Sequence, residues 1–264
     1  MKKRAPKTRR KQKVSTPLQP SCKGTNNLTL TKRQGAIDYL RAIVDILFED
    51  YYLLAIHKPA GLPAERGVAN HPSAETEALL YFTRQLQQAS TSKRLKSTPF
   101  LRVAHRLDRP TSGILLMAKT KTALSSLMAQ FEQREVQKVY LAMTEKMPPA
   151  PVGTLKNWLM RDESGKKSAI HDRDRKGAQW AELSYRVLRP AGQGALMEVL
   201  PATGRFHQIR TQLAHIGCPI VGDTLYGAKP WREHEIKLHA QRLTFRHPKS
   251  GETMTLSCEP DWAR

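Results

Sequence analysis

The sequence predicts an α+β fold, because short β-rich runs outnumber the amphipathic helices and the two do not alternate strictly. With 39% apolar residues among 264, the chain can bury a substantial core. Residues 1–36 differ, since they combine Lys, Arg, Pro, Ser and Thr with few large apolar side chains, a composition typical of disordered segments. We therefore expect a disordered basic arm over residues 1–36 and one folded domain over residues 37–264.

The folded domain begins with a predicted hairpin. Residues 44–48 and 51–56 are β-rich and are separated by the acidic pair Glu49-Asp50. The Pro- and Gly-containing residues 58–63 then predict a loop.

A helix is predicted over residues 73–88, with Ser73 as the amino-terminal cap. Its apolar positions at helical spacing are Leu79, Phe82 and Leu86. Residues 100–104 and 114–118 are apolar runs of strand length, and the polar residues 105–113 between them predict a loop.

A second helix is predicted from the apolar spacing of Leu124, Leu127, Met128 and Phe131. Residues 138–144, 180–188 and 195–200 then predict strands. The mixed-charge residues 161–176 predict a solvated loop or an extended hairpin.

The last predicted helix is stopped by Gly217 and Pro219. Its apolar face consists of Phe206, Ile209, Leu213 and Ile216. Residues 237–245 and 252–258 flank a His-Pro-Lys-Ser-Gly turn, and they predict a closing hairpin.

The charge of the chain points to a polyanionic partner. There are 44 Lys and Arg against 23 Asp and Glu, and 11 of the basic residues lie in the first 37 positions, which hold no acid. Nucleic acid is the first candidate. Residues 2–13 and the group Lys93, Arg94 and Lys96 are candidates for phosphate contact.

Nothing in the sequence predicts a membrane span or a disulfide framework. No apolar run approaches the roughly 20 residues that cross a bilayer. The three cysteines, Cys22, Cys218 and Cys258, are widely spaced and lack paired ligand spacing. We expect a reducing cytoplasm, with an organellar transit peptide as the alternative interpretation of the basic leader.

The predicted loop of residues 105–113, HRLDRPTSG, places Asp108 between Arg106 and Arg109 and between two apolar strands. Neighbouring cations favour an ionised carboxylate, which can act as a nucleophile or a base. The plainer interpretation is that Asp108 caps a turn before Pro110. Arg210, at the start of the last helix, is predicted to project away from the apolar face and to meet an anion, either RNA phosphate or Asp108.

Several segments together resemble RluA-type pseudouridine synthases. They are KPAGLP at 58–63, HRLDRPTSGILLMAKT at 105–120, KVYLA at 138–142, GRFHQIR at 204–210, HIGCPIVGDTLYG at 215–227 and HAQRLTFRHPKSGE at 239–252. The resemblance runs from about residue 45 to residue 260, in the family's order and spacing. It implies the family's fold, a largely antiparallel, bifurcated central sheet with flanking helices and loops.

The resemblance also implies an activity, the isomerisation of a specific uridine to pseudouridine in structured rRNA or tRNA. Asp108 matches the catalytic aspartate, Arg106 the arginine that helps to displace the target nucleotide, Tyr140 the active-site tyrosine, and Arg210 the basic residue that pairs with the aspartate. A stacked uridine cannot be isomerised in place, so the nucleotide must be flipped into a pocket. Tyr140 would offer a ring on which uracil can stack.

The resemblance implies an enzyme without a cofactor. No metal is expected, because the nine histidines form no recognisable ligand motif. We interpret His105 and His207 as structural donors. The family resemblance favours a monomer without an obligate protein partner.

Two other functions remain open from the residues. A non-catalytic RNA-binding or ribosome-assembly protein could use the same fold, although the catalytic run is intact here. A nucleoside glycosidase would need a second acid to activate water. Asp223 is the candidate for that acid, and its Gly-Asp context indicates a turn.

Overall fold

The computed structural model describes residues 45–67, 72–89, 98–171 and 173–263. Within them, eleven strands form one mixed sheet against which three α-helices pack, so the predicted α+β class is confirmed. The predicted basic arm and the group Lys93, Arg94 and Lys96 lie outside the described residues. No helix in the described ranges is long and apolar enough to cross a membrane.

The helices are α1 (Ala74–Ala89), α2 (Lys121–Glu132) and α3 (Gln208–His215). The first six strands are β1 (Asp45–Glu49), β2 (Leu53–Lys58), β3 (Arg102–Val103), β4 (Ser112–Ala118), β5 (Gln137–Met143) and β6 (Val152–Arg161). The remaining strands are β7 (Ser168–His171), β8 (Gln179–Ala191), β9 (Gly194–Pro201), β10 (Leu238–Arg246) and β11 (Thr253–Ser257).

The sheet divides at β10. The main strand order is β1-β2-β4-β10-β5-β9-β8-β6-β7, and every pairing of named strands is antiparallel except that of β4 with β10. One edge of β10 pairs with β5, whereas on the other edge His239 and Ala240 pair with β4 and residues 242–246 pair with β11. The expected bifurcated, largely antiparallel sheet is therefore present.

Gly113 permits the close approach of β4 to β10. Its φ is +119°, and a Cβ atom at this position would lie 2.4 Å from the backbone oxygen of Ala240. Glycine is the residue that accepts both the positive φ and the contact. Because Gly113 ends the predicted loop, this contact places the residues before it at the junction of the two strands.

Strands β2 and β4 are buried on both faces, which explains their continuous apolar runs. Alternate residues point to opposite sides of a strand. One set packs with α1, and it includes Leu54, Ile56, Leu115 and Met117. The other set packs with α2, and it includes Leu53, Ala55, Ile114 and Leu116. A third core lies where Ile209 and Leu213 of α3 meet the strands β8 and β9.

The helical predictions agree with α1 and α2, and the predicted first and last hairpins agree with β1–β2 and β10–β11. The last helix was predicted to include Phe206, and this is wrong, because α3 begins at Gln208 after His207 adopts a left-handed conformation with φ of 54°. Strand β6 had no prediction, and residues 161–176 contain β7, which pairs with β6. The extended-hairpin alternative is therefore the better description of that stretch.

Candidate active site

A cavity of about 420 Å³ opens beside the loop that precedes β4. Its wall includes residues 105–108 and Thr111 of that loop, the end of α2, Tyr140 of β5, residues 201–205 and the start of α3. All four predicted site residues line it, namely Arg106, Asp108, Tyr140 and Arg210. Residues far apart in the chain thus meet at one concave surface.

The loop that carries Asp108 is fixed by backbone hydrogen bonds. The Thr111 N–H donates to the Asp108 carbonyl oxygen at 3.0 Å, and the Gly61 N–H donates to the Arg109 carbonyl oxygen at 2.8 Å. Arg109 Nε donates in return to the Gly61 oxygen at 2.9 Å. The Asp108 side chain is 26% exposed, so its carboxylate is partly accessible while its backbone is constrained.

Arg210 lies between two carboxylates. It donates from Nε to Asp223 Oδ2 at 2.7 Å and from Nη2 to Asp223 Oδ1 at 2.8 Å, while Nη1 reaches Asp108 Oδ2 at 3.3 Å. The Arg210 and Asp223 side chains are buried. Burial lowers the pKa of Arg210, but the hydrogen bonds and charge of Asp223 outweigh this effect, so the net direction is upward.

This arrangement extends the predictions for Arg210 and Asp223. The prediction that Arg210 meets an anion is confirmed for Asp108, and the larger interaction is with Asp223. Asp223 does occupy a turn, but its carboxylate is 1% exposed and is engaged by Arg210 through both oxygens. It therefore does not present a second free carboxylate that could activate water.

A second cation supports the same loop from β2. Lys58 is fully buried, and its Nζ donates to the carbonyl oxygens of Pro59, Leu62 and Arg109 at 2.8, 2.7 and 3.3 Å. Burial lowers the pKa of Lys58 to about 7, and the nearby charge of Asp108 opposes this shift. Lys58 thereby joins residues 58–63 to the loop of Asp108.

His207 faces Asp108 from the start of α3. Its Nε2 lies 3.8 Å from Asp108 Oδ2, and its Nδ1 lies 3.1 Å from the Tyr226 hydroxyl. Its ring stacks on Phe206 with 3.8 Å between centroids. Burial lowers the pKa of His207 to about 4, against the raising effect of Asp108, so the imidazole is neutral at pH 7. Left-handed backbone at a non-glycine residue is frequent at functional sites.

Tyr140 and Arg106 occupy contrasting positions on the cavity wall. Tyr140 is half-buried on β5, and burial, assisted by the charge of Asp108, raises the pKa of its hydroxyl. The Arg106 side chain is 69% exposed, and its guanidinium lies 3.9 Å from the Glu65 carboxylate. Its ion pair with Glu65 is weak at this exposure, so the side chain can move.

The contacts of His105 agree with the structural role expected for it. Its Nε2 accepts a hydrogen bond from the Leu116 N–H at 3.1 Å, and its ring stacks on Phe131. Burial lowers the pKa of His105 to about 4. His105 accepts at Nε2 and also has a hydrogen bond with the Arg106 backbone that raises its pKa, as a donated bond does, so it fixes the loop against β4.

One group of three potential metal ligands occurs among the described residues, His57, His239 and Cys258, whose ligand atoms lie within 4.8 Å of one another. His239 already uses both ring nitrogens, with Ser112 Oγ at 2.8 Å and the Cys258 carbonyl oxygen at 2.9 Å. This hydrogen bonding matches a structural histidine, so we assign no metal to the group.

Sequence reasoning assigned no site role to Lys58 or His207, and it named Asp223 only as the candidate acid of the glycosidase alternative. All three lie in segments that resemble the family, namely residues 58–63, 204–210 and 215–227. Their membership of these segments was the available signal. Lys58 and the Arg109 carbonyl oxygen that it contacts are 51 positions apart, and His207 and Asp108 are further apart still. Local periodicity carries no information at that separation.

Comparison with known proteins identifies the family. The model of the family described as RNA pseudouridylate synthase matches residues 52–215. The ribosomal large subunit pseudouridine synthase C of Yersinia pestis is 33% identical over 240 residues, which cover 85% of this chain and 68% of that protein. The ribosomal large subunit pseudouridine synthase D of Zymomonas mobilis is 30% identical over 236 residues, with coverage of 82% and 69%.

Solved structures show the same fold. The human RNA pseudouridylate synthase domain containing 4 superposes with a TM-score of 0.66 at 26% identity, covering 86% of this chain and 93% of that one. The human RNA pseudouridylate synthase domain containing 1 has a TM-score of 0.59 at 26% identity, with 83% coverage of both chains. The family match, the relatives and the fold agree, and the chain belongs to the RNA pseudouridylate synthase family, whose members are RNA isomerases.

Proposed function

We propose that this enzyme converts a uridine of ribosomal RNA to pseudouridine, with Asp108 as the catalytic nucleophile. The observation that carries the proposal is the carboxylate of Asp108 at the cavity wall, paired with the buried Arg210 at 3.3 Å. Two relatives named as ribosomal large subunit synthases support the choice of rRNA over tRNA.

The reaction rearranges bonds within one nucleotide. The bond between ribose C1′ and uracil N1 breaks, the base rotates, and a bond forms between C1′ and uracil C5. The proton on C5 is then lost and N1 gains a proton, so the product is an isomer of the substrate. The carboxylate could attack the sugar, add to the ring or remove a ribose proton, and each route needs an ionised acid near the bound nucleotide.

The other predicted residues have roles that match their positions. The long side chain of Arg106 is exposed, and it would fill the gap left by the flipped nucleotide. The Tyr140 ring would stack on uracil, a contact worth about 1–3 kcal/mol per base in other proteins. Because the pKa of Tyr140 is raised, its hydroxyl remains protonated and adds no charge beside Asp108.

Binding of the RNA itself would depend on shape and on basic contacts. Structured RNA is recognised through its backbone and its single-stranded loops, and the chain carries an excess of 21 basic charges. We expect the free enzyme to act as a monomer, and we expect the predicted arm at residues 1–36 to add affinity.

Pseudouridine mapping tests the proposal. rRNA and tRNA would be mapped from cells that lack the protein, complemented with wild type, Asp108→Asn or Glu132→Gln. Glu132 is the matched control because it is the other acidic residue on the same cavity wall among the residues described. We expect one or more rRNA sites to disappear in the deletion and to return with wild type and Glu132→Gln only.

Each contrary outcome would reject a different part. Restoration by Asp108→Asn would exclude Asp108 as the nucleophile. Loss of tRNA sites alone would move the substrate to tRNA. An unchanged map would favour a non-catalytic RNA-binding or ribosome-assembly protein on the same fold.

A further inference from the structure

Thr111 combines deep burial with an unused hydroxyl. It lies three residues after Asp108, is 2% exposed, and donates its N–H to the Asp108 carbonyl oxygen. Its Oγ1 is buried and has no hydrogen-bond partner within the residues that the structure describes. Buried polar atoms are normally paired, and an exception calls for an explanation.

The position of Thr111 distinguishes it from similar cases. The buried side-chain atoms without a partner in the described part of the chain are Thr111 Oγ1, His171 Nε2, Gln212 Oε1 and Gln241 Oε1. Of these four residues, only Thr111 lines the cavity that contains Asp108. The unpaired hydroxyl therefore coincides with the proposed site of chemistry.

Thr203 provides a contrast on the same cavity wall. Its Oγ1 donates to Gln208 Oε1 at 2.7 Å and accepts from the Glu182 N–H at 3.0 Å. The Thr203 hydroxyl thus has a structural role, because it joins α3 to β8. Valine would have the shape of Thr111 without an unpaired donor, so the protein fold alone gives no reason for a hydroxyl at Thr111.

We propose that Thr111 is a substrate-binding residue whose hydroxyl donates a hydrogen bond to an oxygen of the target uridine. This inference rests on the proposed function. A single rotation about χ1 moves Oγ1 to another of the three staggered positions, and this is a discrete step. The hydroxyl then turns from the protein to the nucleotide bound beside Asp108, and its desolvation is compensated in the complex.

Stability and activity are expected to respond in opposite ways. In the free protein, Thr111→Val should leave the melting temperature unchanged or raise it, whereas Thr203→Val should lower it. In single-turnover assays on rRNA from cells lacking the protein, Thr111→Val should reduce pseudouridine formation about tenfold, because a polar substrate atom left unpaired in the site costs free energy of this order. Thr111→Ser, which keeps the hydroxyl, should retain most of the activity.

The acceptor can be assigned with modified substrates. The effect of Thr111→Val should shrink on RNA in which the relevant uridine oxygen is replaced, by 2-thiouridine, 4-thiouridine or 2′-deoxyuridine. A uracil oxygen and a ribose hydroxyl are thereby distinguished.

Three results would overturn the inference. Full activity of Thr111→Val would show that the hydroxyl makes no functional contact with the substrate. A melting temperature lowered as much as by Thr203→Val would show that the hydroxyl has a partner in the free protein. If wild type itself forms no pseudouridine on this RNA, the proposed function fails, and the role of Thr111 fails with it.

Discussion

Two buried cationic side chains, Arg210 and Lys58, support the loop of Asp108 from distant segments of the chain. They differ in the groups that surround them. Arg210 of α3 is neutralised by Asp223 through two short hydrogen bonds. Lys58 of β2 is surrounded by three carbonyl oxygens instead of a carboxylate partner. Burial prevails at Lys58, whose pKa falls to about 7, while Asp223 prevails at Arg210, whose pKa rises.

The difference separates a fixed charge from an adjustable one. A guanidinium that is hydrogen-bonded to a carboxylate keeps its proton at any pH at which the protein is folded. An ammonium held by dipoles alone can lose its proton near neutral pH. Arg210 therefore supplies a constant positive charge beside Asp108, whereas Lys58 mainly supplies hydrogen bonds to the backbone.

Asp223→Asn should have the largest effect on stability. The substitution leaves the buried Arg210 charge without its main partner, and breaking a buried ion pair costs about 3–5 kcal/mol. Chemical denaturation of the variant and of Asp174→Asn, a change at an exposed acid, measures this cost. If the free energy of unfolding of Asp223→Asn lies within about 1 kcal/mol of that of the control, Asp108 alone can neutralise Arg210.

Lys58→Met should remove a pH dependence of the free energy of unfolding. The folded-state pKa of Lys58 is about 7, below the value of about 10.4 for an unfolded chain. Between these values the unfolded state binds more protons, so wild-type stability should rise with pH, by at most about 1.4 kcal/mol per unit. The gain is complete above pH 10.4 and is lost as pH falls to 7.

The measurement is the free energy of unfolding of wild type and Lys58→Met at four values between pH 7 and pH 10. The difference between the two proteins should grow with pH in favour of wild type. Parallel curves would show that Lys58 keeps its proton and that the carbonyl oxygens stabilise the ammonium more than burial destabilises it.

Arg109→Ala should have the smallest effect. Its side chain donates one hydrogen bond to Gly61 at an exposed position, and such bonds contribute about 0.5–1.5 kcal/mol or less. The loop of Asp108 would retain the Lys58 and backbone contacts. Thermal unfolding should show a small decrease, and a loss as large as that from Asp223→Asn would make this contact essential to the loop.

Much of the secondary structure could be predicted because its signals are local. The apolar spacing of Leu124 to Phe131 identified α2, and Ser73 correctly marked the start of α1. Phe206 has the spacing of a helical residue, but α3 begins only after His207, whose backbone is left-handed. The His207 side chain is hydrogen-bonded to Tyr226, a contact that depends on the tertiary fold and that local spacing does not show.

The candidate site was predictable only in part. Asp108 and Arg210 were singled out by their charges and positions, and the family resemblance added Arg106 and Tyr140. The structure brings all four to one cavity. Their catalytic roles remain predictions. The bidentate partner of Arg210 was not identified, because Gly222-Asp223 is an ordinary turn sequence and its contact with α3 depends on a long-range approach.

The place of β10 in the sheet has a consequence for synthesis on the ribosome. This strand joins β4 to β5, and its Leu238 forms part of the cavity wall. Until it emerges from the exit tunnel, the earlier strands can form only two half-sheets with open edges, which are prone to mispairing. The enzyme should thus become able to modify RNA only after β10 has been translated.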